Sequence, residues 1–312
     1  MYRSLNLKVL GATGRQSELL ESALTHKFKG IDVDVEAVAR RQTMETLPRT
    51  RQMFDSARLH MDCFPLPIDW QAEKAQFDTK MQGFGTLLDV ASGLGMSYAE
   101  AIVRPDTKLP FPDDFEQHVS RIRQVADRLA EKEIRLGISF TGAPALRNAA
   151  ANPFVADVEK FTALFEAINS RNVGMIVDTW DWVVSGGTLA QFKALKPESI
   201  VAVRFASLKP GVSPDAAGKD DRVLPNSDGL VNNGDFLAAL AEMKFEGPVS
   251  VRPSASTLGK IGADRLVRKA KDSLDLLWID GGLAPKPVTV VETVPPAAAD
   301  DESDDDDEDS DS

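Results

Sequence analysis

Eight times along this chain a short run of apolar and β-branched residues gives way to a longer stretch whose apolar residues recur every three or four positions. That switch from a period of 2 to one of 3.6 marks consecutive βα units. The runs are Leu5 to Leu10, Gly30 to Val35, Ala57 to Phe64, Tyr98 to Val103, Ile134 to Phe140, Val173 to Asp178, Ile200 to Phe205 and Pro248 to Val251. Helices read most clearly over Phe115 to Lys132, with Phe115, Val119, Ile122, Val125, Ala126 and Leu129 on one stripe, and over Phe154 to Asn169. Asp235 to Lys244, with Asn233 as its cap, and Ala263 to Trp278, preceded by Gly262, supply two more.

Parallel strands joined by helices make either an open doubly wound sheet or a closed barrel, and eight units fit a (β/α)8 TIM barrel of roughly 250 residues. An open sheet usually carries a glycine-rich phosphate loop after its first strand. Here Gly11-Ala-Thr-Gly14 lacks that spacing and Gly93-Leu-Gly95 precedes a strand instead of following one, so both read as ordinary turns. The barrel is assigned to residues 1–280. From Gly281 a Pro/Ala-rich linker and then a run of ten Asp/Glu without one Lys or Arg, Asp300 to Ser312, predict a disordered acidic tail.

That tail carries most of the net charge of −12, because only 38 acidic residues face 36 basic ones elsewhere. A near-neutral body argues against a nucleic-acid partner. No apolar run reaches the ~20 residues of a membrane span, and Met1 to Leu10 lacks the apolar core of a secretory signal, so the expectation is a cytoplasmic protein with no membrane partner. A single cysteine, Cys63, excludes an internal disulfide and a cysteine-rich zinc site. Of the three histidines, His60 is placed on the third strand as a hydrogen-bonded interior residue, and His26 and His118 on exposed helical positions.

Reacting groups in such a barrel project from the C-terminal ends of the strands. The fifth strand ends in Ser139, the sixth in Asp178-Thr-Trp180-Asp181-Trp182, the seventh in Arg204 and the eighth in Arg252. Trp180 and Trp182 offer indole faces to a sugar ring or an arginine plane, with core packing as the alternative. Ser185-Gly-Gly-Thr188 reads as a helix cap or as an anion seat. Arg222 reads as a surface arginine.

Several segments together resemble the sugar phosphate isomerase/epimerase proteins of the xylose isomerase-like TIM-barrel superfamily. They are Phe64-Pro-Leu-Pro-Ile-Asp-Trp70, Ile134 to Gly142, Asn172 to Trp182 with Ser185 to Thr188, Arg222-Val-Leu-Pro225 and Phe245 to Val251. The resemblance implies a divalent metal held by Glu on strand five, Asp on strand six, His on strand seven and Glu on strand eight, with a second His three residues after the Asp. Such a hard site orients two substrate oxygens while a carboxylate moves a proton. By the same resemblance of its segment, Arg222 reads alternatively as a contact for an anionic substrate. Related abasic-site endonucleases gather several histidines around three zinc ions, which three scattered histidines do not supply.

Carried across position by position, only Asp178 matches. The other four positions hold Ser139, Arg204, Arg252 and Asp181, and an Asp three residues after the strand-seven His becomes Ser207. A dication 4 Å from one guanidinium costs roughly 8 kcal/mol even at an effective dielectric of ~20. The expectation is therefore no metal and no cofactor, with Arg204 and Arg252 facing Asp178 and Asp181 either as a buried ion-pair network or as a pocket for a small anionic or sugar-like ligand. Three functions follow: a ligand- or partner-binding barrel that has lost metal-dependent isomerisation; a metal-independent isomerase or epimerase using Asp178 and Asp181 as proton carriers; and a scaffold whose acidic tail docks a basic protein.

Overall fold

The computed structural model describes residues 1–13, 16–41, 46–149, 152–225 and 229–285. Its strands are β1 (Tyr2–Leu5), β2 (Gly30–Ile31), β3 (His60–Met61), β4 (Cys63–Pro65), β5 (Tyr98–Val103), β6 (Arg135–Phe140), β7 (Val173–Asp178), β8 (Ile200–Phe205), β9 (Ser207–Leu208), β10 (Arg222–Val223) and β11 (Pro248–Val251). Nine of them form one parallel sheet in the order β3-β2-β1-β11-β8-β7-β6-β5-β4. The two ends of that order, β3 and β4, are halves of one chain segment broken at Asp62. Its N–H donates to Ile31 O at 2.9 Å and its C=O accepts from Tyr98 N–H at 3.0 Å. The sheet therefore closes through a single residue, and the eight-unit barrel is the observed fold.

Alternation along the strands divides the core in two. Leu136, Ile138 and Phe140 of β6 and Val173, Met175 and Val177 of β7 lie in the layer between sheet and helices. They are met there by Ile122, Val125, Ala126 and Leu129 of helix Phe111–Ala130 and by Phe161, Leu164 and Ile168 of helix Val158–Ile168. Each of these side chains other than Ala126 contributes about 1.5–3 kcal/mol on burial. The inward faces carry a smaller cluster of Cys63, Tyr98, Ile176, Val201 and Ala202. Among the described residues no helix is long and apolar enough to cross a membrane.

Local differences from the sequence reading have local causes. The first strand ends at Leu5, and Leu7 to Leu10 turn helically, with Leu10 N–H on Asn6 O and Val9 N–H on the Asn6 side chain. Apolar spacing at 5, 7 and 9 imitates a strand, but Asn6 supplies a local acceptor that breaks it. Helix Phe111–Ala130 starts four residues early because Pro112 sits in its first turn with Asp113 and Asp114 beside it. His118 is fully buried, its Nδ1 2.8 Å from Asp114 O, whereas His60 is exposed and packs on Tyr2. Asn233 begins helix Asn233–Glu242 without capping it, because its side chain is drawn inward to Thr179 and Ala206. Helix Ala263–Asp280 ends in a turn in which Gly281, Gly282, Leu283 and Ala284 donate back to its last carbonyls, so these residues belong to the barrel. Gly14 and the expected tail from residue 286 onward lie outside the described residues.

Candidate functional site

Strand β7 ends in Asp178, and the chain turns at once into helix Thr179–Val184. Asp178 is the cap of that helix, its Oδ1 accepting the Asp181 N–H at 3.0 Å. One helical turn therefore carries Asp181 back beside Asp178. Asp181 Oδ1 accepts the Gly142 N–H at 2.8 Å. Gly142 must be glycine here, since a Cβ would stand 2.3 Å from the Asp181 carbonyl oxygen.

Two arginines complete the cluster. After β8 the chain makes the small antiparallel pair β9–β10, with Arg222 opposite Leu208, and this excursion returns Arg222 over the barrel. Its Nη1 donates to Asp178 Oδ2 at 2.8 Å, its Nη2 donates to Asp181 Oδ2, and its guanidinium lies 4.4 Å from the centroid of the Trp180 ring. Arg252, just past β11, donates to Asp178 Oδ2 at 3.0 Å and stands 3.6 Å from Asp181. Both aspartates are 1% exposed. Burial pushes the Asp178 carboxyl up, but Arg222 and Arg252 outweigh it and hold the group below the usual range. Burial and the neighbouring Asp178 charge prevail at Asp181, whose value is raised.

Arg204 does not join this cluster, although Asp178 is its neighbour in register. The two aspartates already have two guanidiniums, and Arg204 turns to the opposite wall. There its Nη2 donates to Glu100 on β5 and lies 3.8 Å from Asp32 Oδ2 just past β2. Burial alone would lower its value, but Glu100 and Asp32 together raise it, so the guanidinium is firmly charged. Asp32 and Glu100 escape the sequence reading, which follows strands five to eight. A signal existed for Asp32, which directly follows β2; Glu100, third of the six residues of β5, carried none of that kind.

Ser139, Trp180 and Trp182 are all buried. Ser139 is buried with no hydrogen-bond partner for its Oγ among the described residues. Trp182 lies in the core, its Nε1 donating to Thr188 O at 3.0 Å and its ring edge-on to Phe192. Trp180 is fully buried and serves the arginine plane. Thr188 is a helix cap, forming a reciprocal box with Gln191.

Over the C-terminal ends of β1 to β5 opens a cavity of about 510 Å³, whose lining includes Asp32 and Glu100, the partners of Arg204. Asn6, Asp32, Asp69, Gln71, Glu100 and Trp70 are among its lining residues, and Lys8 and Arg104 lie in its wall. Arg104 donates to Gln71 Oε1 at 2.7 Å, and Asp69 stands 3.5 Å from it.

The sequence profile of the xylose isomerase-like TIM barrel family matches residues 20–277. The chain belongs to that family. Among solved structures, a xylose isomerase domain protein from Alicyclobacillus acidocaldarius superposes with a TM-score of 0.79 at 24% identity, covering 90% of this chain and 99% of the other. The IOLI protein, whose crystal structure holds a zinc atom, gives 0.75 at 16%, covering 89% and 99%. A D-psicose 3-epimerase from Clostridium cellulolyticum H10, crystallised with D-tagatose, gives 0.71 at 11%, covering 90% and 99%. At these identities the likeness is one of fold. No protein of curated function matches the chain.

A divalent cation at the position implied by the family resemblance does not fit this donor set. Every oxygen of Asp178 and Asp181 already accepts a hydrogen bond from a guanidinium or a backbone N–H. Arg252 stands on the strand-eight ligand position, and guanidinium has no lone pair to offer. Among the described residues no group of three or more His, Cys, Asp or Glu is arranged to hold a metal.

Proposed function

We propose that this barrel binds a neutral, polyhydroxylated, sugar-like molecule in the cavity over β1 to β5, with fixed guanidinium charge standing in for the cation of metal-dependent relatives. The observation that carries the reading is that Arg222 and Arg252 engage Asp178 and Asp181 while Arg204 engages Asp32 and Glu100, which line an open cavity with other polar groups. Carboxylates and side-chain amides accept hydrogen bonds from hydroxyls, and Asn6, Asp32, Asp69, Gln71 and Glu100 supply five such groups. The five hydrogen-bonding side chains outnumber the two wall cations, Lys8 and Arg104, and the latter is shared with Asp69. A neutral polyol is therefore favoured over a phosphate or a carboxylate.

The test is elemental analysis of the purified protein followed by calorimetric titration with D-tagatose, D-fructose, inorganic phosphate, Mn²⁺ and Mg²⁺. Substoichiometric metal and saturable binding of a sugar are expected. One tightly held equivalent of a divalent metal, or binding of phosphate with neither sugar binding, would overturn the reading.

A further inference from the structure

Three arginines are nearly enclosed by this protein: Arg121 and Arg222 at 8% exposure and Arg204 at 2%. Arg222 holds Asp178 and Asp181, and Arg204 holds Glu100 with Asp32 close by. No described carboxylate pairs with Arg121 of helix Phe111–Ala130. Its Nη1 donates instead to Trp70 O at 2.7 Å and Ala72 O at 2.6 Å, and its Cζ lies 4.8 Å from the centroid of the Phe77 ring. These contacts staple the loop after β4 to the helix, but they use one nitrogen and one face. Nε and Nη2 have no partner among the described residues, and neither is sealed from solvent.

Arg121 lines a second cavity of about 510 Å³, between the loops after β4 and β5, the start of helix Lys74–Leu94 and the N-terminal half of helix Phe111–Ala130. Asp69, Gln71 and Arg104 line both cavities and form the partition between them. A guanidinium has no neutral form to fall back on, and a buried charge without a counter-ion is costly. The one acid of the wall that shares the helix of Arg121 does not supply that counter-ion. Asp114 faces His118, its Oδ1 3.4 Å from Nδ1, and is 3% exposed.

We propose that this second cavity binds a small organic acid, whose single carboxylate docks on the Nε–Nη2 edge of Arg121. The two N–H groups on that edge are parallel and match the two oxygens of one carboxylate. The two carbonyls on Nη1 and the Phe77 ring fix the edge in advance, so little side-chain freedom is lost on binding. Charge decides between anions. Arg121 included, four Lys or Arg and four Asp or Glu line the wall, so it has no surplus positive charge to hold a phosphate dianion or a run of acidic side chains. The site lies outside the cavity over β1 to β5 and does not depend on what that cavity binds.

The experiment is calorimetric titration of the full chain with acetate, joined to heteronuclear NMR of the arginine Nε–H groups, with acetamide and inorganic phosphate as controls at matched ionic strength. Acetate is expected to bind saturably, with a Kd below about 10 mM, and to shift one arginine resonance. Acetamide has nearly the same shape without the charge and should do neither; phosphate should bind roughly tenfold more weakly than acetate or worse. Arg121→Lys keeps the charge and loses the planar pair of donors, so it should remove that resonance and weaken acetate by roughly tenfold. Because Arg121 also staples a loop, Gln117→Phe is the second variant. Gln117 lies one turn before Arg121 on the same helix and lines the cavity half-buried, so a phenyl ring there fills the space without touching the bonds to Trp70 and Ala72. It should melt as the wild type does, keep the Arg121 resonance and lose the response to acetate. Absence of saturable acetate binding, an equal response to acetamide, tighter binding of phosphate, or a response that survives in folded Gln117→Phe would each overturn the inference. Titration with D-tagatose reads the first cavity separately, so the sugar reading stands or falls on its own result.

Discussion

Arg222 bridges the two aspartates of the barrel mouth. It holds two fully buried carboxylates and covers the Trp180 ring, at 9% side-chain exposure. Removing one partner of a buried ion pair leaves an uncompensated charge in a medium that cannot solvate it, at a cost of about 3–5 kcal/mol. Arg222→Met keeps the packing against Trp180 and loses the charge. Urea unfolding should show a loss of that size, partly relieved because Arg252 still reaches Asp178 at 3.0 Å. A change below about 1 kcal/mol, the usual worth of an exposed pair, would show that the network contributes nothing beyond its contacts. Arg204 is the contrasting residue: beside Asp178 in register, it serves the opposite wall because its own partners there would otherwise be bare.

At the scale of elements, the mouth depends on how two segments leave the sheet. Helix Thr179–Val184 begins at the last residue of β7, which places two aspartates three apart on one side of one turn. The loop after β6 must then pass within van der Waals distance of that helix. Gly142→Ala would force a Cβ to 2.3 Å from Asp181 O and 3.0 Å from Ser185 Cβ. Overpacking of this kind costs about 1–3 kcal/mol. Thermal melts should register it, and the crystal structure of the variant should show Asp181 displaced from Arg222. An unchanged midpoint would mean that the loop yields freely and does not fix the site. The β9–β10 pair is the second such element, a two-residue ladder whose effect is to bring Arg222 home.

For the whole molecule, the interior acids make stability depend on pH in two opposing windows. Asp178 and Glu100 are held low, so the stability they supply is present above the ordinary carboxylate value and is lost as pH falls through their lower folded values. Asp62 behaves oppositely. Burial pushes it up to about 6, against hydrogen bonds from Ser4 Oγ at 2.6 Å and Tyr2 OH at 2.5 Å. Its folded form binds a proton more tightly than its unfolded form, so its contribution is full below the unfolded value near 3.8 and disappears as pH rises through about 6. Asp62→Asn should therefore gain about 2 kcal/mol relative to wild type on going from pH 4 to pH 7. Denaturant titrations at the two pH values read this directly; a difference independent of pH would show that Asp62 is not perturbed.

The alternation of periods along the chain determined the barrel, since strand and helix periodicities are local properties and eight repeats have few ways to close. It also put Asp178, Asp181 and Arg252 forward, because residues at or near strand ends can be named from strand boundaries and spacing, whereas Arg222 came forward only through the family resemblance of its segment. Which arginine meets which acid was beyond it. Ion pairing spans separations such as Arg204 with Glu100, 104 residues apart, and Arg222 with Asp178, 44 apart. Only barrel closure and the β9–β10 excursion bring those groups within reach, and burial then decides which carboxyls remain charged. The opening over Asp32 and Glu100 is a property of the closed barrel alone.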